Sequence, residues 1–437
     1  MKKVLSFILV LSLCLSLVSC VGDYKKNALV SAAEKISVSY KDAGQDGYAE
    51  FIDKLDSFAA KLTYEIYSDS NMKSNVCISP ISVYMALALA TECADGETRD
   101  EILNAVGVTY NEVKSFTKLL YAFSNREFYY TDIASNRRVL AFEELANSLW
   151  ADNDVELKES CINNLATNFN CDLFGVNFKS GEGERAINAY IKDKTHGIVD
   201  GDLDLSPETL ITLINTFYLK EVWNEDGNKL KFTDTTYAFE NADGEITNTK
   251  LLRGYYFKGN IYEGEGYTSF YTRTEHGFDI KFIVPTDGHS IEEIFTADNI
   301  YNINNLGDYG YKDDENMLLH HTRVFFPEYK ASFNGDISKT LREDFGINNL
   351  FNLEKCDLSN ITDETVAFDA LIHKCSLNVN ARGIEGAAVT VMPAAGAAGP
   401  GPYENVYHDY FVDRAFGFVI TDSYGAVLFS GVVNSIK

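Results

Sequence analysis

The residues best suited to chemistry, seven histidines and eight cysteines, are scattered in this 437-residue chain. There is no G-x-S-x-G turn to expose a serine, no G-x-x-x-x-G-K loop to cradle a phosphate, no H-E-x-x-H to hold zinc and no paired C-x-x-C. His320 and His321 are adjacent but abut a strand-like run, where an ordinary histidine is the simpler description. An enzyme whose residues meet only on folding stays open, yet nothing here calls for one, nor for a metal or cofactor. One segment suggests chemistry of another kind. Residues 383–402 read GIEGAAVTVMPAAGAAGPGP, nearly free of charge and bulk, between two strand-like stretches of an acidic chain. Loops longer than about a dozen residues are uncommon inside compact domains. The first half can also be a strand: Ile384, Gly386, Ala388, Thr390, Met392 and Ala394 share one face at period two, and Glu385 begins the other. A segment able to be exposed loop or buried strand suggests a switch; a plain surface insertion is the alternative.

Such a segment needs a body and a compartment. Lys2 and Lys3 precede an apolar run over residues 4–18, the n-region and h-region of a secretory signal, too short to be read as a membrane span. Leu17-Val18-Ser19-Cys20 resembles the lipobox of bacterial lipoproteins. The resemblance implies a lipid-modified Cys20 at the mature amino terminus and a protein held outside a bacterial cell on its membrane; simple secretion is the alternative. Several acyl chains on one residue anchor stably, since each buried methylene contributes about 0.8 kcal/mol. The expected organisation is a signal peptide over residues 1–19, a lipidated cysteine and polar tether over 20–47, and one domain over 48–437. A tether of about 27 residues holds a domain roughly 30 Å away.

Hydrophobic residues make up 46% of the chain, with 26 Tyr and 28 Phe, enough for a large core. A net charge of -26 repels nucleic acid and anionic polysaccharide, and there is no basic patch for a heparin-like activator. A monomer is expected. Beyond the amino-terminal region stand Cys77, Cys93, Cys161, Cys171, Cys356 and Cys375, with no zinc spacing; most read as buried free thiols, and pairing of some stays open. Phe51, Leu55, Phe58 and Leu62 predict a helix over 48–69, and Ser79-Pro80 introduces another over 81–93. Strands are predicted over 146–151, 210–218, 278–284, 321–326, 370–379, 415–421 and 426–433, the last two joined at Asp422-Ser423-Tyr424-Gly425. Helices early and antiparallel strands later argue for an α+β fold.

Over residues 48–437 the chain resembles the serpins. Matching motifs occur in order: Asn75-Val76-Cys77-Ile78-Ser79-Pro80-Ile81-Ser82, Gly96-Glu97-Thr98, Ala146-Asn147-Ser148-Leu149-Trp150 and Asn215-Thr216-Phe217-Tyr218-Leu219-Lys220 with Trp223. Later come Phe345-Gly346-Ile347, His373-Lys374, the small-residue segment and Asp413-Arg414-Ala415-Phe416. The resemblance implies three β-sheets, about nine helices and a reactive-centre loop that serves as bait. A target serine protease, or alternatively a cysteine protease, forms a covalent acyl complex with the loop. The cleaved loop then enters the large sheet before water can release the enzyme. About 14 residues at about 3.3 Å each would carry its end about 46 Å.

The resemblance assigns the hinge to Gly383, Ile384, Glu385, Gly386, Ala387, Ala388, Val389 and Thr390. Counting from Gly383 puts the scissile bond between Ala397 and Ala398, flanked by Ala394, Ala395, Gly396 and Gly399; counting back from Arg414 gives a point near Glu404. The first ruler is preferred because the sheet fixes insertion length, and the excess then reads as an insertion over 399–407, a lengthened return to the body. Small bait residues imply a protease with a shallow primary pocket, elastase-like or subtilisin-like. Ser79, Ser82, Asn215 and His373 resemble the network at the centre of the opening sheet. Trp223 resembles the aromatic beneath the point where insertion starts, though a core tryptophan is the simpler description. Three departures stand out: bulky Ile384, Pro393 without an N–H, and Ala381 with Glu328 where many relatives carry an acid–base pair. A non-inhibitory serpin-fold binding module at the cell surface, whose loop is only cleaved, is the alternative.

Overall fold

The computed structural model describes residues 23–33, 39, 41–131, 137–199, 203, 205–223, 230–256, 261–304, 312–313, 318–384 and 404–436. Helix α1 (Tyr48–Asp69) buries Phe51, Leu55, Phe58, Leu62 and Ile66, the stripe that the helical spacing predicts. Helix α2 (Pro80–Cys93) is buried on every side, as its apolar composition demands, and starts with proline where no N–H is needed. The helices α3 (Gly96–Val106), α4 (Tyr110–Phe123), α5 (Glu159–Asn168), α6 (Glu182–Lys194), α7 (Ile291–Ile294), α8 (Ala297–Asn304) and α9 (Ser338–Glu343) complete the nine among the described residues.

The large sheet has eight strands: β1 (Ala28–Val30), β3 (Glu127–Thr131), β4 (Arg137–Asp152), β5 (Cys171–Val176), β6 (Ile211–Val222), β16 (Tyr329–Asp336), β17 (Ile372–Asn380) and β18 (Gly383–Ile384). Their order is β1-β5-β4-β6-β18-β17-β16, with β3 on β4. A six-stranded sheet holds β2 (Val76–Ile78), β11 (Ile261–Gly264), β12 (Tyr267–Arg273), β13 (Asp279–Pro285), β20 (Phe416–Thr421) and β21 (Val427–Val433). A five-stranded sheet holds β7 (Lys231–Phe232), β10 (Leu252–Tyr256), β14 (Lys312–Asp313), β15 (Leu318–Phe326) and β19 (Glu404–Phe411); β8 (Tyr237–Glu240) and β9 (Ile246–Thr249) form a hairpin. The architecture is α+β, and one core runs between α1, α2 and the large and six-stranded sheets. A second cluster, built on Trp150, Phe174, Ile187 and Tyr190, packs α6 against the large sheet.

Two readings of the chain need correction. Residues 23–33 lie within the span read as a polar tether, yet they are packed on the body. Tyr24 is 4% exposed within the second cluster, and β1 pairs antiparallel with β5. The span 399–407 is not all a lengthened return, because Glu404 to Tyr407 begin β19, which pairs parallel with β15 from Leu318↔Glu404 to Phe325↔Phe411. This segment shows no apolar/polar alternation, and its strand is defined by its parallel pairing with β15. All six described cysteines are free; Cys77 and Cys375 bring their sulfurs to 3.3 Å, a contact between thiols.

Candidate functional site

The site begins where β17 turns back on itself. At Gly383 φ is +142°, and a Cβ would lie 1.9 Å from the Glu221 carbonyl oxygen, so only glycine lets the chain pass this close to β6. Ile384 follows, 1% exposed. Together they form β18, antiparallel to both neighbours: Gly383↔Val222 and Ile384↔Glu221 on β6, Asn380↔Gly383 and Val379↔Ile384 on β17. The bulk of Ile384 is thus already accommodated. Beyond it β6 and β17 share no backbone ladder, and their facing side chains leave a cleft of only about 20 Å³, room for about one water. Phe217, Leu219, Leu377 and Ile384 line it, and Thr195 and Ile198, just after α6, border it.

Several groups brace the top of this seam. Trp223 is fully buried and its indole N–H donates to the Asn380 carbonyl at 2.8 Å, tying the end of β6 to the end of β17. The Glu328 carboxylate accepts from the Ala381 N–H at 2.8 Å, so the residue standing where relatives carry a base caps the turn instead. Glu221 is buried, its carboxylate 2.9 Å from His276 Nδ1 and 2.6 Å from the Val222 N–H. Burial pushes the Glu221 carboxyl up, and His276 pulls it back.

Lower in the seam, the start of α2 reaches both sides. The Ser79 N–H donates to His373 Nε2 on β17 at 3.1 Å, while the Ser82 hydroxyl donates to Asn215 Oδ1 on β6. Asn215 donates onward to Asn147 on β4, which donates to the Phe169 carbonyl at 2.9 Å. The four residues Ser79, Ser82, Asn215 and His373 therefore gather at one helix end, in two halves that meet at α2. The Ser79 hydroxyl itself is buried with no partner. An accepting Nε2 requires a neutral ring, and burial depresses the His373 pKa to about 4.

Asn147 as a link, the Glu221–His276 pair and the capping role of Glu328 were not singled out from sequence. Only the ANSLW motif hinted at Asn147. Glu385, Gly386, Ala387, Ala388, Val389 and Thr390 of the hinge lie outside the described residues. So do Ala394, Ala395, Gly396, Ala397, Ala398 and Gly399 of the bait, and Cys20.

The family model Serpin (serine protease inhibitor) matches residues 53–436, and the chain belongs to this family. Alpha-1-antiproteinase of Rattus norvegicus is 26% identical over 407 residues, covering 90% of this chain and 91% of that protein. Iripin-1 of Ixodes ricinus is 27% identical over 386 residues, covering 83% and 90%. Among solved structures, Serpin48, described as a highly specific serpin of the insect Tenebrio molitor, superposes with a TM-score of 0.71 at 20% identity over 90% of this chain and 99% of that one. Thyroxine-binding globulin in complex with thyroxine gives 0.71 at 20% identity, over 89% and 100%. The family and its named proteinase inhibitors mark an inhibitor, not an enzyme.

The depressed His373 pKa sets a pH window. An unfolded chain protonates this ring below its ordinary value of 6.5, whereas the native ring resists until about 4. The native state therefore loses stability as pH falls from about 6.5 to about 4, by up to about 3 kcal/mol from this group. Thermal melts of His373→Gln, which keeps an acceptor but cannot titrate, should fall less steeply than wild type between pH 7 and 4.5. Parallel slopes would contradict the assignment.

Proposed function

We propose that this serpin is a suicide inhibitor of serine proteases with a shallow primary pocket, acting by cleavage and insertion of the segment that follows β18. The observation that carries the reading is the seating of Gly383 and Ile384 between β6 and β17 in antiparallel register with both. Continued one residue forward for each residue back along the neighbours, that register sets Glu385 beside Lys220. By the same extrapolation Ala388 would stand beside Phe217 and Cys375, and Thr390 beside Asn215 and His373, the polar stretch of the seam. The end of β17 at Ile372 would meet residue 391 and the end of β6 at Ile211 would meet Ala394. Pro393 then falls past β17, where its missing N–H can disturb one neighbour only.

A scissile bond between Ala397 and Ala398 lies just beyond this slot and ahead of β19. The rival position near Glu404 lies in a paired strand, a poor fit to a protease cleft that needs extended, accessible backbone. Ala395, Gly396, Ala397 and Ala398 favour elastase-like or subtilisin-like targets. Pro393, and a fold-mate solved with thyroxine, favour the alternative of a binding module whose loop is only cleaved.

Incubation with elastase should yield an SDS-resistant band at the summed mass, and mass spectrometry of the released peptide should begin it within about two residues of Ala398. Cleavage with no covalent band and no gain in thermal stability would sink the inhibitory reading. Ala388→Arg should turn the inhibitor into a substrate, with the covalent band replaced by cleaved serpin; unchanged trapping would contradict insertion. We also propose that Cys20 carries lipid and holds the protein outside a bacterial cell, a reading supported by the signal sequence. Cys20→Ser should move it from the membrane fraction to the medium in a lipoprotein-processing host, and retention on the membrane would exclude the anchor.

A further inference from the structure

The arm over residues 23–33 is packed on α6 and on the edge of β5. Tyr24 packs edge-on against Phe174 of β5 at 5.7 Å and against Tyr190 of α6 at 5.3 Å. Its hydroxyl donates to the Asp193 carboxylate at 2.5 Å, in the last turn of α6. At the other end of the same helix, Lys26 lies 3.7 Å from Glu182. The arm then continues as β1 on the free edge of β5, and it is fastened beyond. The Ala32 N–H donates to Asp172 at 2.8 Å, the Ala33 N–H to the Ala166 carbonyl at 3.0 Å, and Asn170 to the Ala33 carbonyl at 3.1 Å.

Helix α6 leads directly to the seam. Thr195 caps it, its hydroxyl donating to the Ile191 carbonyl at 2.7 Å, and Thr195, Ile198 and Val199 overlie the cleft between β6 and β17. A strand cannot enter a cleft whose free volume is about 20 Å³; β6 must move from β17, and the turn after α6 must yield with it. On the body, this turn is held by His196 and Lys194 to Glu144 of β4, at 3.0 and 3.6 Å. From the amino-terminal side it is held through Asp193 by Tyr24.

We propose that Tyr24 is a positioning residue for loop insertion: the docked arm straps α6 over the large sheet and so sets how fast β6 and β17 part. The proposal rests on the insertion mechanism proposed above. The arm acts on the opening step, not on recognition of the protease, because the contacts named above fall on α5, α6, β5 and the residue that precedes β5. It therefore slows insertion of the intact segment as well as of the cleaved one.

The test uses a synthetic peptide of residues 385–396, which can fill the seam below β18 without any protease. Uptake into the mature protein is followed by the rise in melting temperature and the band shift on native gels. Tyr24→Ala should speed uptake about tenfold, and Tyr24→Phe, which keeps the ring but not the bond to Asp193, about threefold. The association rate with the protease should stay unchanged while the fraction trapped rises, a split that a general loss of stability does not produce. Equal uptake rates in wild type and variants would overturn the strap while leaving the inhibitory reading standing. No uptake by either protein would remove insertion and the strap together. If Tyr24→Ala does not fold, Tyr24→Phe decides alone.

Discussion

Two parallel neighbours in the large sheet, β6 and β17, lie side by side without a backbone ladder, and everything else about the molecule is arranged around that seam. Unpaired backbone in a sheet interior is costly, which is why buried N–H and C=O groups are nearly always matched. Here two residues of β18 match the top, and side chains fill the remainder. A strand that continued β18 downward would gain ladders on both sides at about 1 kcal/mol net per bond. With about ten residues involved, the reward is of the order of a whole domain's stability. On the proposed insertion mechanism, a longer β18 would improve the native arrangement, and barriers hold it back.

Those barriers are local and polar. The start of α2 touches each side separately, Ser79 to His373 and Ser82 to Asn215, so parting the strands need not strand both halves at once. Above, Trp223 and Glu328 fasten the turn between β17 and β18. On the outer face, α6 covers the sheet and its last turn borders the cleft. At Gly383 a Cβ would meet the Glu221 carbonyl, so glycine lets the chain enter β18 beside β6.

Much of this was legible in the residues. The stripe Phe51, Leu55, Phe58, Leu62 fixes α1, and apolar runs mark β6, β13, β20 and β21, because burial against a large core imposes a period that sequence displays. The α+β class followed from their order. The arm escaped notice for a physical reason: Tyr24 stands alone among polar neighbours, and its partners Phe174, Tyr190 and Asp193 are about 150 or more residues away, so no local pattern announces it. Counting along the chain assigns Glu404 to Tyr407 to the return segment, since it cannot reveal that β15 offers a parallel edge to receive them. The link through Asn147 likewise exists only across strands.

Hydrogen exchange on the amides of β6 and β17, compared between the intact protein and protein cleaved once within residues 395–398, probes the seam itself. The account predicts that cleavage slows exchange along Ile211–Val222 and Ile372–Asn380 by orders of magnitude, as a new strand pairs with both. Unchanged exchange in those two strands after cleavage would contradict it.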